Sequence, residues 1–99
     1  MLIHSVYFNF NSSTSEDEKK ACIEAAKGLG AIEYAKAYYV GTHAAVAERP
    51  PLVKDYDFAL TGVFESVADH DAYQLHSIHT AFIGTYKPLW ERVRVFDFD

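Results

Sequence analysis

"YDFALTGVFE", residues 56–65, decides the fold. Tyr56, Phe58, Leu60 and Phe64 recur with period two and share one face of a strand; Ala59, Thr61 and Val63 share the other. An antiparallel strand at a protein surface normally turns one polar face to water, and this one has none. Ser66, with Asp69 three residues on, then caps a helix that carries Val67, Tyr73 and Leu75.

Working outward, "LIHSVYFNF" at residues 2–10 alternates in the same way, with His4, Val6, Phe8 and Phe10 on one face and Ile3, Ser5, Tyr7 and Asn9 on the other. Ser15 and Glu18 form a capping box, and Glu16, Asp17 and Glu18 suit the positive end of a helix that buries Cys22, Ala25, Ala26 and Leu29. Gly28 and Gly30 end it. "YAKAYYVGTH" at 34–43 reads as a second strand, and Tyr38-Tyr39 places one ring on each face of it. "AAVAERPPLVK" is a loop, because Pro50-Pro51 cannot sit inside a sheet. The second helix runs through "DAYQLHSIHTAF" at 71–82 and is interrupted where Lys87 precedes Pro88. "RVRVFDFD" at 92–99 is the last strand.

The order is βαββαβ over residues 1–99, one domain. The expected architecture is α+β and ferredoxin-like: a four-stranded antiparallel sheet with both helices on one face. The other face is expected to hold Ile3, Tyr7, Ala59, Val63, Val93 and Val95. A second copy of the same sheet is the simplest cover for so apolar a surface, so a homodimer through the open sheet face is expected, forming a dimeric α+β barrel.

Charge and composition narrow the function. The net charge is −5, and the nine Lys and Arg residues are scattered apart from Lys19-Lys20, so neither nucleic acid nor an anionic membrane is an expected partner. No apolar run approaches the length of a membrane span. Cys22 is the only cysteine, which excludes an internal disulfide and a cysteine metal cluster. A cytoplasmic location is expected, since the N-terminus shows no basic segment followed by a cleavage site.

Three stretches carry a family resemblance: "HSVYFNF" with His4, "YDFALTGVFES", and "DAYQLHSIHTAFIGTYKPLWERVRVFDFD" with its Tyr, His-x-x-His, Lys-Pro and closing Val-Phe-Asp-Phe. On these the chain resembles the stress-responsive A/B barrel (Dabb) family of the dimeric α+β barrel superfamily. The resemblance implies a cleft between sheet and helices. Plant polyketide cyclases of this family use a cleft Tyr and His for an intramolecular aldol condensation; by motif those positions resemble Tyr73 and His79, and His4 resembles a histidine lining the same cleft. The chain departs from the pattern at Ser77, where members usually have proline, and at Phe58, where the cyclase cleft has a polar residue.

The residues themselves support that chemistry. A neutral histidine can take a proton from carbon beside a carbonyl, and a tyrosine hydroxyl can steady the enolate oxygen that forms. On a regular helix Tyr73, His76 and His79 span an arc of about 120°. We therefore expect His79 as base, Tyr73 as oxygen donor and His4 or His76 as an orienting group, with His76, Phe8 and Trp90 lining a pocket for a small hydrophobic or aromatic carbonyl compound. His43 and His70 read as a loop residue and an exposed helical residue. His76 and His79, with Asp71 or His4, have ligand chemistry but no specific metal spacing, so no metal and no cofactor is expected. The alternative is a non-enzymatic, stress-associated oligomer, in which His76 and His79 bond backbone carbonyls at the helix break and Tyr73 is a core ring.

Overall fold

A computed structural model describes residues 1–99. Strands β1 (Leu2–Phe10), β2 (Ala37–Gly41), β3 (Phe58–Phe64) and β4 (Trp90–Phe98) form one antiparallel sheet in the order β2-β3-β1-β4. Helix α1 (Glu16–Gly28) follows β1, and α2 (Val67–Leu75) and α3 (Ser77–Tyr86) follow β3. The four-stranded ferredoxin-like architecture is thus as the alternation and caps imply. The β2 strand is shorter than expected and β4 begins two residues earlier.

The caps act as read. The Glu18 amide donates to Ser15 Oγ at 3.1 Å, and the Ser15 amide donates to Glu18 Oε1 at 2.9 Å. The Asp69 amide donates to Ser66 Oγ at 3.1 Å and starts α2. One core forms between sheet and helices. Val6, Phe8, Phe10, Phe58, Leu60 and Phe64 supply its floor, and Cys22, Ala26, Leu29, Tyr73 and Phe82 its roof.

Two expectations about faces need correction. Val93 and Val95 do not lie on the open face. Residues paired across neighbouring strands share a face, and the register sets Val93 beside Phe8 and Val95 beside Val6, on the helix side. Phe96 and Phe98 take the open side instead, paired with Ser5 and Ile3. That face remains apolar: Phe96, Phe98 and Tyr39 are 54%, 61% and 68% exposed. The second correction concerns the helix through 71–82, which is two helices. His76 has extended backbone (φ −63°, ψ 142°) and divides α2 from α3.

Candidate functional site

His4 lies on β1 among the core rings and is 4% exposed. An imidazole buried there needs a partner, and the sheet provides one. The β1–β4 register places His4 directly opposite Asp97, and His4 Nδ1 donates to Asp97 Oδ1 at 2.5 Å. Burial nevertheless lowers the His4 pKa; Asp97 pulls it up, and His70 adds a smaller downward push.

Tyr73 lies on α2 and is 1% exposed. Its hydroxyl stands 2.6 Å from the Tyr38 hydroxyl on β2. Burial raises the Tyr73 pKa to about 12, against a hydrogen bond from Tyr38 that lowers it. Burial also raises Tyr38, with Tyr73 adding to the effect. Both phenols are therefore neutral at physiological pH. Gly62 makes room for this pair: a Cβ there would stand 2.9 Å from Phe64 Cε2 and 3.1 Å from Tyr38 Cε1. Gly62→Ala should therefore cost about 1–3 kcal/mol in chemical denaturation, through displaced rings rather than backbone strain.

The break at His76 decides which rings converge. His76 is spent on the turn: its Nδ1 accepts from the Ile78 amide at 3.1 Å, its carbonyl accepts from Thr80 Oγ1 at 2.8 Å, and its Nε2 lies 3.7 Å from Glu33. It does not line the cavity, contrary to the expectation from one regular helix. His79, on the first turn of α3, returns to Tyr73 with ring centroids 4.8 Å apart. Its pKa is lowered, first by burial and then by His4 and His70, while a backbone hydrogen bond at Gln74 opposes the shift.

A cavity of about 120 Å³ lies beside these rings. His4, Tyr73, His79, Phe8 and Trp90 line it, together with Val93 and Val95 from β4. Trp90 has a buried indole N–H without an oxygen or nitrogen partner, and it faces the Cys22 thiol. Phe58, at the position where the resemblance implies a polar group, is stacked on Phe8 at 4.3 Å in the core. A larger cavity of about 370 Å³ lies elsewhere, on the open sheet face between Tyr7, Phe96 and the loop residues Val53 and Tyr56. Arg94 bonds Asp55 there at 2.8 Å and, with burial opposing, holds that carboxyl below the usual range, while Arg94 Nε is buried without a partner.

Three neighbours escaped the sequence reading: Asp97, Tyr38 and His70. The side chain of His70 is 14% exposed rather than solvated. Its ring packs edge-on against His4, with centroids 4.7 Å apart, and against Phe64 at 5.6 Å. A signal existed, since His70 and Tyr73 are three apart and therefore neighbours on α2.

The family model described as the stress responsive A/B barrel domain matches residues 2–99. No curated protein matches the chain. Among solved structures, a dimeric ferredoxin-like protein of unknown function from Thermobifida fusca is 26% identical, with a TM-score of 0.81 over 98% of this chain and 88% of that one. A Dabb family protein from Mesorhizobium loti is 24% identical, with a TM-score of 0.78 over 99% of this chain and 94% of that one. A hydroxynitrile lyase from Passiflora edulis is 22% identical, with a TM-score of 0.77 over 98% of this chain and 90% of that one. The last two likenesses speak to fold alone.

Proposed function

The chain belongs to the stress responsive A/B barrel domain family, and from that premise we propose that it binds a small carbonyl compound in the sheet–helix cavity and moves a proton on it by acid–base chemistry. The observation that carries the reading is the pairing of His79 and Tyr73 on one cavity, with ring centroids 4.8 Å apart. His79 is held neutral by burial and has a lone pair to accept a proton. With Tyr38 donating to the Tyr73 oxygen, the Tyr73 hydrogen is left for a ligand, and the first bond strengthens the second.

The step runs as follows. The C–H bond beside the carbonyl breaks and its proton goes to His79. The electron pair moves onto the carbonyl oxygen, where the Tyr73 O–H stabilises the enolate. His4, fixed by Asp97, orients His79 or the ligand oxygen. The enolate then takes a proton back, or its carbon attacks a second carbonyl, as in a cyclase, and the alkoxide so formed takes the proton held on His79; the reverse of that addition is a carbon–carbon cleavage. A cavity of about 120 Å³ is close to one known to hold benzene, about 150 Å³, so the ligand is one ring or a short chain. Phe8, Trp90 and Val95 offer it an apolar wall. The hydroxynitrile lyase from Passiflora edulis has the same fold, which supports the reading at the level of the scaffold.

Thermal unfolding with acetophenone as probe tests the binding. Wild type should be stabilised in proportion to the logarithm of probe concentration, by about 2.7 kcal/mol at 100 times Kd. Tyr73→Phe should fold and lose most of that shift. No shift in wild type would contradict the reading.

We further propose a homodimer through the open face. Ile3, Tyr7, Val63, Phe96 and Phe98 make that face apolar by register, and the structures from Thermobifida fusca and Bacteroides fragilis are described as dimeric. Sedimentation at micromolar concentration should give twice the chain mass, and Phe98→Glu should shift the protein toward monomer. A wild-type monomer would overturn this. The free, buried Cys22 suits a reducing, cytoplasmic setting.

A further inference from the structure

His70 packs edge-on against His4 without lining the cavity, and the acid–base reading gives it no task. Both of its ring nitrogens are nevertheless held. Its Nδ1 is 3.1 Å from Asp71 Oδ1, and its Nε2 is 3.2 Å from the Gln74 side-chain amide. This arrangement selects a tautomer: Nδ1–H donates to the carboxylate, and Nε2 keeps its lone pair and accepts from the amide. The ring then meets His4 edge-on at 4.7 Å, and Asp97 closes a triangle. One ligand atom from each of His4, His70 and Asp97 lies within 4.8 Å of the others.

We infer that β1, α2 and β4 build a binding site for a divalent transition-metal ion of the zinc type, with His4, His70 and Asp97 as its ligands. Two imidazoles and one carboxylate suit zinc or cobalt, whereas calcium and magnesium favour sets made of oxygen. Ligand atoms around a tetrahedral ion at about 2.0 Å stand about 3.3 Å apart. A pair at the 4.8 Å limit must therefore close by about 1.5 Å. An ion held by both His4 Nδ1 and Asp97 Oδ1, now 2.5 Å apart, would replace their shared proton and spread them. An ion on His70 Nε2 would displace the Gln74 amide. The Asp97 side chain, 39% exposed, has room to move, while buried His4 is fixed by its packing. Asp71 on the far nitrogen of His70 is the carboxylate–histidine arrangement that orients metal-bound imidazoles. Three protein ligands leave a coordination position open, and His4 also lines the cavity, so that position neighbours whatever the cavity holds. This proposal departs from the expectation of no metal. It differs from the His76/His79 pairing considered from sequence, since His76 lies outside the cavity.

Tag-free protein titrated with Co²⁺, followed by visible absorption, tests the site directly, with Zn²⁺ added in competition. Wild type should bind one ion per chain. His70→Phe and Asp97→Asn should each weaken binding by about 10–100-fold or more, and His76→Ala should leave it unchanged. Should either variant fail to fold, imidazole NMR signals of the wild type decide. One equivalent of Zn²⁺ should move the signals of His4 and His70 together and leave that of His43 in place. No binding by wild type, binding that survives both substitutions, or movement of the His43 or His76 signal first would each overturn the inference. No organic ligand enters this titration, so it can fail or succeed independently of the carbonyl reading.

Discussion

Phe58→Ala is expected to cost about 3–5 kcal/mol of stability, the largest effect of any single truncation in this core. Phe58, the first residue of β3, is fully buried between sheet and helices. It stacks on Phe8 at 4.3 Å with planes 2° apart, and on Phe10 at 5.3 Å with planes 24° apart. Removing it leaves a cavity between two other rings, which cannot collapse because both are anchored in β1. A small domain has a total stability of about 5–15 kcal/mol, so the variant should approach the limit of folding. Urea unfolding should show a lower midpoint with an unchanged slope. Phe58→Leu should cost visibly less, because it keeps most of the volume. A loss below about 1 kcal/mol for Phe58→Ala would mean that the stack is not the centre of the core.

His79→Asn is expected to lower proton-transfer activity by about 10²–10⁴-fold, the usual worth of a positioned general base. Its pH behaviour separates this role from a structural one. The His79 pKa lies below its ordinary value of 6.5, because burial disfavours the imidazolium and nearby His4 and His70 add to that. The base is therefore free at neutral pH. Activity should be flat there and fall on the acid side, with a midpoint below 6.5. In His79→Asn that limb should vanish along with the rate. Stability follows the same sign. The unfolded chain protonates this histidine near its ordinary value, while the folded chain resists until lower pH. The contribution is fully present above the unfolded pKa and is lost as pH falls through the folded one. His4 shifts in the same direction and adds to the effect. Melting temperature should thus decline as pH falls through 6.5 and below, and less steeply in His79→Asn.

The parts legible in the sequence were local ones. The period-two runs in β1 and β3, and the caps at Ser15 and Ser66, each depend on a few adjacent residues, and the structure has all of them. The face of β4 was not legible. Both of its alternating sets, Val93 with Val95 and Phe96 with Phe98, are apolar, so only the register against β1 tells them apart. The helix break was hidden for a different reason. Neither glycine nor proline marks it; His76 takes an extended backbone and caps α3 with its own ring nitrogen. One regular helix therefore placed His76 in the cavity, and the break takes it out. Asp97 was missed because its contact with His4 spans 93 residues. Its position was still a clue, since an acidic residue within Val-Phe-Asp-Phe requires a partner once that strand is packed. Alternation places Tyr38 on one side of its strand, but alternation alone does not show which ring its hydroxyl meets.

Deuterium exchange tests proton transfer in the cavity most directly. Acetylacetone and acetophenone in D₂O at neutral pH, followed by proton NMR, report loss of the hydrogens beside the carbonyl. Wild type should accelerate the exchange of at least one of them above the buffer rate, Tyr73→Phe should retain only part of that acceleration, and His79→Asn should return it to background while remaining folded. Exchange at the buffer rate in wild type, or undiminished acceleration in His79→Asn, would contradict the account.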